Sequence, residues 1–282
     1  MQQKKHLKRL IIPIFINHRG CPNRCIFCSQ KSAVEFSDTP LEKISEVIES
    51  YISSQIKKFG RINPRYEIIQ IAFYGGSFTC MGLNFMKRYI DKVKPFFDRY
   101  NIDSLRISTR PDCINQEILD FLKENKTQTI EIGAESFDDS MLKILKRGHT
   151  VDDILKASKL IKMNNFELSI QLMIGLPFET EEIIEKNLKY LKLIKPDFLR
   201  IFPLIVLKDT ELENMYRKKI FTPVSLEKAV KILAIFYKHC EKENIKIIQM
   251  GLHYSEHLMK NYIAGPIHPA IGDLVKYKAG IH

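Results

Sequence analysis

Short apolar runs alternate along this chain with longer stretches in which apolar residues return every third or fourth position. The runs fall at 11–16, 68–74, 105–108, 129–133, 168–174, 198–202 and 245–250. They are rich in isoleucine and of strand length, so each reads as a largely buried strand. Between them the helical period predicts helices at 41–56, 83–97, 115–123, 138–145, 152–163, 181–194 and 225–243. In the first of these, Leu41, Ile44, Ile48, Ile52 and Ile56 share one face. Thr39-Pro40-Leu41-Glu42 opens it with a capping-box pattern and a proline expected at the first helical position. Regular alternation of strand and helix predicts parallel βαβ units with right-handed crossovers, either a barrel or an open doubly wound sheet. A length of 282 residues suits an α/β barrel better than two full domains. A polar stretch at 208–223 marks a soft boundary, followed by the last long helix, the last strand and an irregular tail.

Ligands of parallel α/β folds bind at the carboxyl ends of the strands, and the unusual residues of this chain gather there. A cysteine loop follows the first strand. Tyr74-Gly75-Gly76-Ser77-Phe78-Thr79 ends the second and Ser108-Thr109-Arg110-Pro111-Asp112 the third. Glu131 and Glu135 bracket the end of the fourth, Gln171 and Gly175-Leu176-Pro177 belong to the fifth, and Arg200 to the sixth. Gly75-Gly76 suits either a tight turn or a close approach of backbone to ligand. Glu131 between Ile130 and Ile132, and Gln171 between Ile170 and Leu172, sit at positions of inward parity. Both are expected to be interior polar groups that need partners. In the tail, His253, His257 and His268 are either surface residues or groups folded over the strand ends; His268, inside Gly265-Pro266-Ile267-His268-Pro269, is the better candidate for substrate contact.

Cys21, Cys25 and Cys28 form a CxxxCxxC triad in the loop leaving the first strand. Three thiolates can hold three irons of a 4Fe-4S cluster and leave the fourth open, whereas an electron-transfer cluster normally takes four cysteines. Zinc is the alternative, although structural zinc typically draws two separated pairs of ligands; here only Asn17-His18 offers a near fourth donor. Cys80, Cys113 and Cys240 are scattered, form no disulfide framework and read as packing residues. A cysteine cluster of this kind suits a reducing compartment. With no apolar stretch of spanning length and a polar, basic start, the chain reads as cytoplasmic, with no membrane partner. The formal charge is +11, from 44 Lys and Arg against 33 Asp and Glu. An excess of that sign attracts polyanions such as tRNA, while the dispersal of lysines over helix faces also fits plain solvation.

CxxxCxxC with Phe27 directly before the third cysteine, then a Gly-Gly turn and a Gly-x-Pro motif at the fifth strand, resembles the radical S-adenosylmethionine (radical SAM) superfamily over most of the chain. The resemblance implies a partial (β/α)6 TIM-type barrel of parallel strands at 1–210, with a short C-terminal α/β extension at 211–282 capping the barrel mouth. More narrowly, the motifs at 74–79, 108–112 and 131–136, Arg147-Gly148-His149-Thr150 and Met-Ile-Gly-Leu-Pro are similar to the branch shared by the Elongator catalytic subunit and oxygen-independent coproporphyrinogen oxidase. Neither is matched in full. Gln30 stands where the oxidases carry a further cysteine, and Elongator's subunit spaces its cysteines more widely and adds an acetyltransferase domain. Stand-alone bacterial radical SAM proteins with an Elongator-like barrel fit better.

Carried over residue by residue, the resemblance implies that Cys21, Cys25 and Cys28 ligate three irons while SAM chelates the fourth. Gly75 and Gly76, with Ser77 beside them, would meet the SAM amino group. Ser108 and Arg110 would face ribose or carboxylate, Gln171 the ribose, and the backbone around Phe27 and Gly175 the adenine. Glu131 and Glu135 would belong to the same cofactor pocket, Glu135 standing where a related branch has glutamine. Arg200, His253 and His268 are the substrate candidates. The implied chemistry is reductive cleavage of SAM to a 5′-deoxyadenosyl radical, fed by a reductant such as flavodoxin or ferredoxin, with no zinc. Three functions remain open: a tRNA or nucleotide-like substrate, a small anionic metabolite or tetrapyrrole precursor, and a non-catalytic cluster- or SAM-binding role.

Overall fold

The computed structural model describes residues 8–29, 39–62, 65–252 and 255–280. Its main sheet has seven strands in the order β1 (Arg9–Phe15), β2 (Ile68–Tyr74), β3 (Ser104–Thr109), β4 (Thr127–Glu135), β5 (Glu167–Ile174), β6 (Phe198–Pro203) and β8 (Lys246–Met250). Every neighbouring pair is parallel. The sheet curls into a half-barrel, with β1 and β8 as its two unpaired edges. All seven runs read from the sequence are strands. The last, assigned from sequence to the extension, pairs with β6, so the sheet continues past residue 210.

Alternation of side chains sorts each strand into two faces. On β1, Leu10, Ile12 and Ile14 are buried outward beneath the helices, while Arg9, Ile11, Pro13 and Phe15 face the barrel interior. On β4, Ile130, Ile132 and Ala134 are buried in the core, and Glu131, Gly133 and Glu135 face inward. The outward face packs against α1 (Ile44–Phe59), α2 (Leu83–Tyr100), α3 (Gln116–Glu124), α4 (Asp139–Ile144), α5 (Val151–Met163), α6 (Glu181–Ile194) and, after α7 (Glu211–Arg217), α8 (Leu226–Glu243). The apolar seam between sheet and helices is the core, and the concave face is left free for polar groups.

Local signals explain most helix starts. Asn115, Asp138, Thr180 and Ser225 each accept a hydrogen bond at an N-terminus, and Thr150 and Asp153 form a reciprocal capping box on α5. The capping pattern expected at residue 39 does not form. Leu41–Lys43 is a 3-10 turn with Pro40 ahead of it and no side-chain cap, because the Thr39 N–H donates instead to the Phe15 carbonyl at 2.8 Å. That bond ties the chain entering α1 to the end of β1.

The tail, expected to be a short α/β extension, holds regular elements. It holds α9 (Glu256–Asn261), a short β9 (Tyr262–Ala264) and α10 (Ile271–Ala279). β9 pairs antiparallel with β7 (Val206–Leu207), and α10 buries Ile271 and Val275 in the main core. The polar stretch at 208–223 contains α7, capped by Thr210. Among the described residues no helix is long and apolar enough to cross a membrane.

Candidate active site

The concave face encloses one large cavity of about 1370 Å³. The three cysteines of the triad line it, together with Phe27, Gly75, Gly76, Ser77, Ser108 and Arg110. Glu131, Glu135, Gln171 and Arg200 complete the set of expected residues brought to this wall. Gly175 and His268 are not among the residues lining the cavity. Gly175 holds a positive φ of 71° and donates its N–H to Glu179 Oε2 at 2.7 Å, shaping the turn behind the wall. His268 accepts the Ala270 N–H through Nδ1 at 3.1 Å, which closes the turn before α10; its neighbour Pro269 lines the cavity instead. His253 lies outside the described residues.

The cysteine loop is held by backbone from several elements. Ile16 donates to the Tyr74 carbonyl at 2.8 Å and Ser77 to the Arg19 carbonyl at 2.8 Å, so the Gly-Gly turn and the loop are laced together. Ile26 donates to the Leu145 carbonyl and accepts from the Leu212 N–H. A Cβ on Gly76 would stand 2.5 Å from the carbonyl oxygens of both Ile16 and Arg19. The close approach demanded by this glycine is therefore with the cysteine loop itself. Gly76→Ala is expected to displace that loop and to reduce iron and sulfide uptake at least severalfold, measured by metal analysis after anaerobic reconstitution. Gly148 plays a similar part from the other side, where a Cβ would meet Asn23 Nδ2 at 1.9 Å.

Charge at the triad is handled by arginine. Arg147 donates to Cys25 Sγ at 3.1 Å and to the Gly133 carbonyl at 2.7 Å, with Glu135 at 3.7 Å. Burial, then the neighbouring Cys25 and Cys21 thiolates, pushes the Cys28 thiol up to about 12. Three thiolates in one loop need compensating cations, which irons supply on binding as the thiol protons leave. Among the described residues no group of three His, Cys, Asp or Glu side chains converges on a single ion. A four-iron cubane asks for a different arrangement, with one thiolate on each of three separate irons. Three free, partly exposed cysteines on one cavity wall, with an arginine against one sulfur, fit that group.

Other members of the set are engaged with one another. Ser77 Oγ accepts the Arg110 N–H at 3.0 Å and lies 3.2 Å from Thr109 Oγ1. The Arg110 guanidinium is clamped on both oxygens of Asp112 at 2.9 Å and donates to the Arg147 carbonyl. Gln171 donates to Glu135 at 3.3 Å. Burial raises the Glu135 carboxyl above its ordinary range, Arg147 offsetting only part of the effect. His149, buried beside Arg147 and Arg110, is pushed down to about 3 and stays neutral. Glu131 is fully buried and paired with Arg106 at 2.9 Å and Arg200 at 2.6 Å.

Two features were missed in the sequence. Cys80 and Cys113, read there as separate packing residues, form a disulfide with Cα atoms 5.2 Å apart. β2 and β3 are parallel neighbours, so the turns at their carboxyl ends stand side by side and residues 33 apart in sequence meet. Cys240 is a buried free thiol in the core, as read. The inward arginines Arg9 and Arg106 were also missed. Their signal was available, since each is a charged residue inside an isoleucine-rich strand.

Residues 16–191 match the Radical SAM superfamily, and residues 196–279 match a Radical_SAM C-terminal domain. The chain belongs to the radical SAM superfamily. Radical SAM enzymes work with a 4Fe-4S cluster and S-adenosylmethionine, and the cavity brings the three cysteines to one wall. Among proteins similar to it, an uncharacterised protein of Methanocaldococcus jannaschii is 30% identical over 249 residues, covering 84% of this chain and 74% of its own. A tRNA uridine(34) acetyltransferase of Methanocaldococcus infernus is 27% identical over 258 residues, covering 79% of this chain and 48% of its own. The solved structure of Elp3 from Methanocaldococcus infernus superposes with a TM-score of 0.72 at 21% identity, over 98% of this chain and 65% of that one. The radical SAM barrel here thus spans about half the length of the acetyltransferase it matches.

Proposed function

We propose that this radical SAM enzyme modifies tRNA. The observation that carries the reading is the charge of the cavity wall, where nine lining side chains are Lys or Arg and two are Glu. A wall so biased draws anionic substrates toward the cluster. Similarity to tRNA uridine(34) acetyltransferases and a formal charge of +11 favour a nucleic acid among those anions.

Cys21, Cys25 and Cys28 would hold the cluster and the cavity wall SAM, and together these groups would supply reductive cleavage to methionine and a 5′-deoxyadenosyl radical for hydrogen abstraction from the substrate. The chain's own residues do the rest. Gly75, Gly76 and Ser77 present backbone to the SAM amino group, Ser108, Arg110 and Gln171 receive its ribose and carboxylate, and Phe27 flanks the adenine, with Gly175 shaping the turn behind the wall. Glu131 and Glu135 complete the pocket. The curled sheet and the chain at Leu252, Ser255 and Pro269, which also line the cavity, exclude water and oxygen from the radical. In this reading residues 1–210 carry the cofactors and 211–282 cap the mouth. Electrons come from a small donor such as flavodoxin or ferredoxin in a reducing, cytoplasmic compartment, where the Cys80–Cys113 pair would be kept as thiols.

Binding of unmodified tRNA to the reconstituted protein tests the substrate. The affinity is expected to fall roughly tenfold or more between about 50 and about 200 mM salt, as released counterions require. Failure to bind any tRNA at low salt, with SAM cleavage intact, sinks the tRNA assignment. A second reading, a small anionic metabolite or tetrapyrrole precursor, is favoured by one observation: several of the cations, Arg106 among them, lie inside the barrel rather than on an open face.

A further inference from the structure

Below the cysteine triad, the middle of the barrel holds a charge cluster centred on Glu131. Arg106 from β3 and Arg200 from β6 approach Glu131 of β4 from opposite sides, at 2.9 Å and 2.6 Å. Arg200 also donates through Nε and Nη2 to Gln249 Oε1, and its guanidinium lies over the rings of Tyr74 and Phe202 at 5.3 and 5.2 Å. Arg106 is 3% exposed and donates to the Tyr74 side chain, yet its Nε is buried with no hydrogen-bond partner. At the amino ends of the strands, Arg9 is matched by Glu167 at 2.5 Å. Around the cluster Arg9, Arg106, Arg200 and Lys246 face Glu131 and Glu167, while Glu135 lies nearer Arg147 at the triad. Positive charge is left over on this part of the cavity wall.

An unbalanced buried charge with an idle donor is unfavourable by itself, and an arginine of this kind commonly awaits a planar anion. We propose that Arg106 and Arg200 form a subsite for the carboxylate of a small substrate, held mid-barrel beneath the cysteine triad. Tyr74, Phe202 and, from β1, Ile11, Pro13 and Phe15 supply apolar walls for the carbon skeleton attached to it. The assignment rests on the radical SAM reading of the cavity. In the tRNA reading, the carboxylate belongs to a second, small substrate; in the metabolite reading, to the substrate itself.

The test is titration calorimetry of the cluster-loaded protein with SAM, using propionate, its neutral isostere propionamide and inorganic phosphate as probes. Propionate is expected to bind saturably and at least tenfold more tightly than propionamide or phosphate. Arg106→Gln should weaken propionate at least tenfold, while Arg106→Lys, which keeps the charge, recovers a large part of the affinity. Equal binding of propionate and propionamide, tighter binding of phosphate, or an unchanged Arg106→Gln variant overturns the subsite. If Arg106→Gln does not fold, the comparison of probes on the wild type still decides. Measuring 5′-deoxyadenosine from SAM in the same wild-type preparation separates the two readings. Cleavage without carboxylate binding defeats the subsite alone, whereas absence of cleavage defeats the reading beneath it.

Discussion

Glu131→Leu is expected to destabilise the fold by about 3–5 kcal/mol, the range found when one partner is removed from a buried ion pair. The substitution leaves Arg106 and Arg200 facing each other across the barrel with no carboxylate between them. A domain of ordinary stability has about 5–15 kcal/mol in all, so the variant should unfold at markedly lower urea. Adding Arg106→Met should return part of the loss, because the double variant removes the stranded charge as well. Burial works against the charged form of Glu131, but Arg200 and Arg106 outweigh it and hold the carboxyl below its ordinary range. A carboxyl depressed on folding contributes stability that is full above its unfolded pKa of about 4.3 and is lost as pH falls through the folded value. Urea midpoints should therefore fall in acid more steeply for the wild type than for the double variant. An unchanged midpoint for Glu131→Leu at neutral pH would mean that the pair is not formed.

Cys25→Ala carries the second large effect. The Cys25 sulfur is the one that accepts from Arg147 at 3.1 Å, so its loss would remove a proposed iron ligand and leave Arg147 with Gly133 and Glu135. Iron and sulfide after reconstitution should fall from about four each per chain toward zero, and the visible absorption of the cluster should vanish. The fold should survive, because Cys25 lies in a loop held by backbone bonds at Ile16, Ile26 and Ser77. A variant that retains a full complement of iron and sulfide would remove Cys25 from the ligand set.

The strands were legible because each is a run of isoleucine-rich sequence flanked by glycine or polar turns, and parallel strands buried on one face carry that signal strongly. The site was legible where chemistry is rare in sequence: three cysteines in eight residues, a double glycine, a glutamate between two isoleucines. What escaped were properties of pairs. Cys80 and Cys113 are each unremarkable, and only the parallel pairing of β2 and β3 brings them together. Arg106 looked like one basic residue among 44 Lys and Arg until the curl of the sheet turned it toward Glu131. Thr39 had the right residue for a helix cap, but tertiary contact with Phe15 claimed its backbone instead. The individual elements of the tail were not delineated for a related reason. Its helices are short, and α10 is held by burying Ile271 and Val275 against the core rather than by strong local propensity.

The central claim is that the triad and the cavity wall together cleave S-adenosylmethionine reductively. The most direct measurement is the yield of 5′-deoxyadenosine and methionine from SAM, after anaerobic reconstitution with iron and sulfide and reduction with dithionite, with tRNA and propionate present to allow for substrate-triggered turnover. Equal yields of the two products, dependent on reductant and on Cys25, are the predicted result. A protein that holds its full cluster and binds SAM, yet releases neither product under any of these conditions, would contradict it.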